Sequence, residues 1–261
     1  MNDAYRIGDA VLRIVREDGD KECDDEAARE AAVVPLALQA GVKTPELIAA
    51  DPTAQHAPRP YTLYRRAAGT LMGYSDRHPS TFQHAYRELG REILKIAGIP
   101  TPEGPVWHYR SGDLPNPRQS LETTLAAGAI SEPDALEIGE WLDEVEPAMQ
   151  EPEQPVLLHN DLHPWNLMVD PDTHQLTAIL DWGDAGPGDP AREFCSMPVL
   201  AIESMIEGYV EAGGRWTDPM ALRARMYGLE LALWELRSLD RLQFKPTWWR
   251  FPEGGWRGLV G

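Results

Sequence analysis

Residues 159–166 read H-N-D-L-H-P-W-N, and Asp181, fifteen residues beyond the asparagine, opens D-W-G directly after the apolar run L-T-A-I-L. Each polar type in this pattern suits one task in phosphoryl transfer. An aspartate in a tight loop accepts the proton of an attacking hydroxyl, an asparagine offers a neutral oxygen to Mg²⁺, and an aspartate at a strand end anchors the metal that bridges the phosphates. The spacing makes Asp161 the catalytic candidate and Asn166 and Asp181 the metal candidates. His159 reads as a brace that hydrogen-bonds the loop backbone. Asp189, in G-D-P, reads as a cap on the next helix or a second brace of the loop. Asp184 reads as a turn former, or as a contact for Mg²⁺ or a substrate ammonium. The same run also spells H-x-D-x-H at His159, Asp161 and His163, which with Asp181 or Asp184 would be the ligand set of a metallohydrolase. That reading leaves Asn166 and G-D-P without a task.

These residues need short strands to hold them. Residues 155–158, Leu167–Val169 and 176–180 are short apolar runs, and D-P-D-T-H at 170–174 is a turn that joins the last two into a hairpin. The hairpin returns Asp181 to the loop that carries Asp161. Upstream, A-V-L-R-I-V at Ala10–Val15 is β-branched around one arginine and predicts a strand. Residues 46–50 and 61–64 predict two more. An alanine-rich helix is expected over 22–39, with Pro35 set to kink or end it. Ser131 with Asp134 has capping-box spacing and opens a helix whose buried stripe is Ile138, Trp141, Leu142, Val145 and Met149. Thr217 caps another, with Leu222, Met226, Leu229, Leu233 and Leu236 along one face. The order is a small sheet with one helix, then a mainly helical remainder interrupted by the hairpin.

The 261 residues, 43% apolar and 25% charged, suit a globular chain of one unit or two lobes. A formal charge of −18 repels phosphate backbones and anionic membrane faces, which argues against nucleic acid as a partner. Two cysteines make no disulfide framework. The longest apolar run, 31–38, falls far short of the roughly 20 residues of a membrane span, so no membrane is expected and the location expected is cytoplasmic.

The runs H-N-D-L-H-P-W-N-L-M-V and I-L-D-W-G-D-A-G-P-G-D-P, with Glu193 shortly after, resemble the aminoglycoside phosphotransferase family, relatives of choline, homoserine and fructosamine kinases within the protein-kinase-like fold. The resemblance implies an α+β, two-lobe protein. Residues 1–68 would be a nucleotide-binding lobe lacking the first strand and glycine-rich loop, since residues 2–6 resemble the second strand. Residues 69–261 would carry the catalytic loop and the substrate site. Arg13 sits where such kinases carry a phosphate-contacting lysine, and Glu30 resembles its helix partner, with Glu26 one turn earlier as the alternative. Y-T-L-Y-R-R-A-A-G resembles the hinge that meets the purine. The implied cofactors are Mg²⁺ and ATP or GTP, and the implied acceptor is a hydroxyl of a small molecule, by a monomer or homodimer.

Two acidic groups point to an amine on that acceptor. Residues 131–153 hold nine acids and no base, and Glu203, Glu207 and Glu211 recur every four residues on one helix face, where a cation would relieve them. The expected substrate is an antibiotic-like amine, such as an aminoglycoside, macrolide or nucleoside antibiotic. A kinase of a metabolite alcohol and a nucleotide-binding pseudokinase are the alternatives. Trp248, Trp249 and Trp256 suggest a packed end or an aromatic ligand wall.

Overall fold

The structure is a computed structural model that describes residues 2–16, 21–75, 77–104, 107, 115–150, 152 and 154–238. The three C-terminal tryptophans singled out above lie outside the described residues.

β1 (Asn2–Ile7) and β2 (Ala10–Val15) form an antiparallel hairpin turned at Gly8, whose φ of 59° suits glycine. α1 (Lys21–Gln39) follows, then β3 (Leu47–Asp51) and β4 (Tyr61–Arg65), giving a four-stranded antiparallel sheet in the order β1-β2-β4-β3. Arg13 faces Ala4 across one ladder and Thr62 across the other, so it sits mid-sheet. The helix expected over 22–39 is found, and Pro35 does not end it, since α1 runs four residues beyond it. A helical proline costs about 3 kcal/mol, but Val33, Val34 and Ala37 are wholly buried around it. Each buried apolar side chain returns about 1.5–3 kcal/mol, so packing outweighs the local penalty.

Beyond the sheet, β5 (Thr70–Leu71) pairs with a later strand, and α2 (Gln83–Ala97), α3 (Pro117–Ala126) and α4 (Glu132–Val145) follow. Ser131 caps α4 by accepting the Asp134 amide, as its spacing predicts. Four short strands then build the site: β6 (Val156–Leu158), β7 (Leu167–Val169), β8 (Leu176–Ile179) and β9 (Gly186–Gly188). β7 and β8 form the expected hairpin with β5 on its edge, and β9 pairs with β6. The sequence G-P-G hides β9, since glycine and proline are poor strand formers. α5 (Val199–Glu211) and α6 (Asp218–Ser238) close the fold.

One core runs from α1 through α2 and the hairpin to α5, and a second joins α3, α4 and α6. Ile138, Leu142, Met226, Leu229 and Leu233 of the predicted stripes are buried in the second. α2 and α5 cross at glycines. A Cβ on Gly208 would stand 1.8 Å from the Arg87 carbonyl oxygen, and one on Gly90 would stand 1.9 Å from that of Met205.

Candidate active site

The loop between β6 and β7 is held from behind. His159 is wholly buried at the end of β6; its Nε2 donates to the Leu180 carbonyl at 2.9 Å, and its Nδ1 accepts the Asp161 amide at 3.3 Å. Burial pushes its pKa down to about 4, so the ring is neutral. With both ring nitrogens occupied and no exposure, His159 cannot ligate a metal, which removes the H-x-D-x-H reading. The Glu193 carboxylate accepts the amides of His159 and Asn160. Asn160 itself takes a left-handed turn, φ 66°, which directs the chain into Asp161. Its Nδ2 donates to the carbonyl of Asp184 at 3.0 Å, tying the catalytic loop to the segment after Asp181.

Asp161 and Asn166 are joined. Asn166 Nδ2 donates to Asp161 Oδ2 at 2.8 Å and to its carbonyl at 2.9 Å, while His163 Nε2 stands 3.3 Å from the same Oδ2. The Trp165 amide donates to His163 Nδ1 at 3.2 Å, which leaves the proton on the nitrogen facing Asp161. Burial alone would raise the Asp161 carboxyl, but the hydrogen bond and charge of His163, with help from Asn166, hold it below the usual carboxylate range. It is a carboxylate at neutral pH.

Asp181 sits at φ 64°, just past β8, with 42% of its side chain exposed. Arg13 reaches it from β2 at 2.6 Å and pairs at its other end with Glu30 of α1. Glu30 is also the acceptor of the Tyr64 hydroxyl at 2.8 Å. Burial opposes the charge on Arg13, but Glu30 and Asp181 outweigh it and hold the guanidinium pKa above its ordinary value. Glu26, the alternative partner, instead accepts Asn2 Nδ2 at 2.7 Å and packs against Gly183. The turn after Asp181 is pinned by the buried Arg29, which donates to the Gly183 carbonyl, and by Trp182 Nε1 to Thr44 Oγ1 at 2.9 Å.

Two clefts meet at the Asp161–Asn166 bond. The first, about 440 Å³, lies between the β-sheet and the hairpin and is lined by Arg13, Tyr64, Arg66, Asn166 and Asp181 among others. The second, about 620 Å³, opens beside Asp161 under α6. Asn166 and Asp181 offer a neutral oxygen and a carboxylate to the first cleft. Among the described residues no cluster of three or more His, Cys, Asp or Glu is placed to hold a metal. A hard cation that keeps waters and takes its remaining oxygens from phosphates needs only one or two protein ligands, so this donor pair fits Mg²⁺.

Other residues singled out from the sequence lie elsewhere. Glu207 and Glu211 on α5 are relieved by Arg87 and Arg91 of α2, not by a substrate, and Glu203 and Glu207 line a separate groove on α5 with Arg225. In the other acidic run, Asp143 and Glu146 pair with Arg118. Four of the acids that suggested an amine contact, Glu207, Glu211, Asp143 and Glu146, are therefore answered by the chain's own arginines. Asp184 meets the loop through its carbonyl. Asp189 caps the turn Pro190–Phe194 and pairs with the buried Arg223 at 2.6 Å, so bracing of the catalytic loop falls to Glu193. Sequence reasoning named Glu193 only as part of the motif and missed its hold on the loop backbone, along with Arg29 and the His163 contact.

A kinase-like fold with an aspartate between two clefts defines a phosphotransferase. The model of the phosphotransferase enzyme family (APH) matches residues 2–229, and the chain belongs to that family. Among solved structures, it is similar to the macrolide 2'-phosphotransferase MphH from Brachybacterium faecium, at 21% identity and a TM-score of 0.62 over 92% of this chain and 83% of that one. The GDP and kanamycin complex of APH(2")-IIia gives 18% identity and a TM-score of 0.63 over 92% and 84%. Spectinomycin phosphotransferase APH(9)-Ia, in complex with ADP and spectinomycin, gives 14% and 0.61 over 96% and 84%. At these identities the likeness shows a shared fold. The uncharacterised protein YcbJ of Bacillus subtilis (strain 168) is 36% identical over 63 residues, which is 23% of this chain and a fifth, 20%, of that protein.

Proposed function

We propose that this phosphotransferase moves the γ-phosphoryl group of ATP or GTP, with Mg²⁺, onto a hydroxyl of a small molecule of antibiotic type. The observation that carries the reading is the 2.8 Å bond between Asn166, which lines the first cleft, and Asp161, which lines the second. Nucleotide would occupy the first cleft, between a lobe ending near residue 68 and the remainder, with residues 66–69 along its base. The acceptor would occupy the second.

Asp161, a carboxylate before the reaction, orients the hydroxyl oxygen and becomes the neutral acid as it accepts the hydroxyl proton. That oxygen forms a bond to the γ-phosphorus as the bond from phosphorus to the bridging oxygen breaks, and the nucleoside diphosphate leaves with the electron pair. Arg13, positioned by Glu30, contacts the phosphates. Asn166 turns its amide nitrogen to Asp161, which leaves its carbonyl oxygen, with the Asp181 carboxylate, to hold Mg²⁺. When bound, Mg²⁺ neutralises charge on the phosphates. An amine on the acceptor is not part of this proposal, because Glu207, Glu211, Asp143 and Glu146, among the acids that suggested one, are paired within the protein.

The test is nucleotide consumption with Mg²⁺ and ATP or GTP across aminoglycosides, macrolides, nucleoside antibiotics, choline and homoserine. Asp161→Ala is the blank. Acceptor-dependent turnover that the blank lacks supports the assignment, and a blank as active as the parent protein refutes it.

A further inference from the structure

One face of the β-sheet gathers three polar side chains onto a single carboxylate. Side chains alternate along a strand, so Val11, Arg13 and Val15 of β2 share that face. Tyr64 of β4 stands opposite Val11 and Thr62 opposite Arg13, which puts both on the same face. α1 lies against the sheet there, and the three polar groups meet its buried Glu30. Arg13 pairs with Oε1 of Glu30, the Tyr64 hydroxyl donates to Oε2 at 2.8 Å, and the Thr62 hydroxyl adds a further bond.

A carboxylate held at one oxygen is free to turn, because the last torsion of a glutamate is broad and roughly two-fold. Held at both oxygens from two different strands, Glu30 keeps one orientation. Burial pushes the Glu30 carboxyl up, and the charge of Arg13 with the hydroxyls of Tyr64 and Thr62 works against that, so each donor also favours the charge that Arg13 answers. Burial and the Glu30 charge push the Tyr64 phenol up as well, so it keeps its proton and donates. Tyr64 also lines the first cleft, where a ligand meets its ring while its hydroxyl is engaged by Glu30. From Glu30 the chain of contacts runs on through Arg13 to Asp181 at 2.6 Å.

We propose that Tyr64 is a positioning residue for the phosphates: its hydroxyl locks Glu30, and Glu30 in turn holds Arg13 at the place where it meets Asp181 and where the triphosphate would enter. This rests on the first cleft holding nucleotide, as proposed above. The competing account is that Tyr64 only fills the core it shares with Val33 and Val34, a role that Tyr64→Phe preserves.

The test is binding measured by calorimetry, with Mg²⁺ and a non-hydrolysable ATP or GTP analogue and, separately, with adenosine or guanosine alone. The proteins are the parent, Tyr64→Phe, Arg13→Met and the double variant. Tyr64→Phe keeps the ring and its packing and removes the hydroxyl. It is expected to weaken the analogue about fivefold or more and to leave the nucleoside within about twofold, because only the triphosphate meets Arg13. In the Arg13→Met background the same change should cost the analogue nothing further. No loss for the analogue, equal losses for analogue and nucleoside, or the same loss with and without Arg13 overturns the proposal. Where Arg13→Met does not fold, the contrast between analogue and nucleoside in Tyr64→Phe decides alone. If neither analogue binds the parent, the phosphotransfer reading fails first and takes this one with it.

Discussion

Glu193 is a buried carboxyl with one oxygen committed to the amides of His159 and Asn160 and the other, Oε2, buried without a partner. Burial outweighs those two amides and pushes its pKa from 4.5 to about 7. Between these values the folded state keeps a proton that the unfolded state has released, so stability falls as pH rises through the window. It is full below 4.5 and lost above 7. At 1.36 kcal/mol per pH unit, the whole swing is about 3 kcal/mol. Glu193→Gln keeps an acceptor for the two amides and cannot ionise, so it lacks this slope. Its donor on the orphan side resembles the protonated acid, so any fixed offset is shared across pH. The measurement is urea unfolding of both proteins from pH 5 to 8.5. The variant should gain on the parent by about 2.5 kcal/mol across that range, most of it below pH 7. His159 titrates in the opposite sense, losing stability as pH falls toward about 4, but it does so in both proteins and cancels in the difference. Parallel profiles separated by a constant offset would refute the reasoning.

Gly208→Ala should lower the unfolding free energy by about 3 kcal/mol or more, measured in urea, because its Cβ would stand 1.8 Å from the Arg87 carbonyl oxygen and the helices must separate. Arg223→Met should cost about 3–5 kcal/mol in the same assay, since it strands the Asp189 carboxylate in the interior. Asp181→Asn should stay within about 1 kcal/mol of the parent, its side chain being well exposed, yet lose Mg²⁺-nucleotide turnover by orders of magnitude. Glu30→Gln should show the reverse emphasis, losing up to about 3 kcal/mol because it uncouples a buried pair.

The loop after β6 and its hairpin were legible because the motif that marks them is local. The run from His159 to Asp181 carries its own strands, its own turn at Asp170 and its polar residues at fixed spacing. The capping residues Ser131 and Thr217 were legible for the same reason. What escaped depends on packing between distant segments. Pro35 threatened the helix on local grounds, because the packing of α1 against β3, β4 and the turn after Asp181 is a tertiary fact. Two acids of each acidic group, Asp143 with Glu146 and Glu207 with Glu211, were read as part of a substrate-facing field because their partners, Arg118, Arg87 and Arg91, lie on other helices. β9 was invisible because G-P-G becomes a strand only when β6 is beside it.

The same division runs through the site itself. The groups proposed to touch the reacting atoms come from one stretch of chain, but several of the groups that hold them in place come from elsewhere. Arg13 belongs to β2, Glu30 and Arg29 to α1, and Glu193 to the turn after β9. In the structure Arg13 lies between Glu30 and Asp181, so one guanidinium answers two carboxylates and the cleft keeps one negative charge to offer a cation. Phosphates entering that cleft compete with Asp181 for Arg13, and a cation entering it competes with Arg13 for Asp181. A phosphate that takes Arg13 leaves Asp181 unmatched, and a cation on Asp181 removes that penalty while Arg13 keeps Glu30. In the reaction proposed above, nucleotide would therefore enter more favourably with its metal than without it.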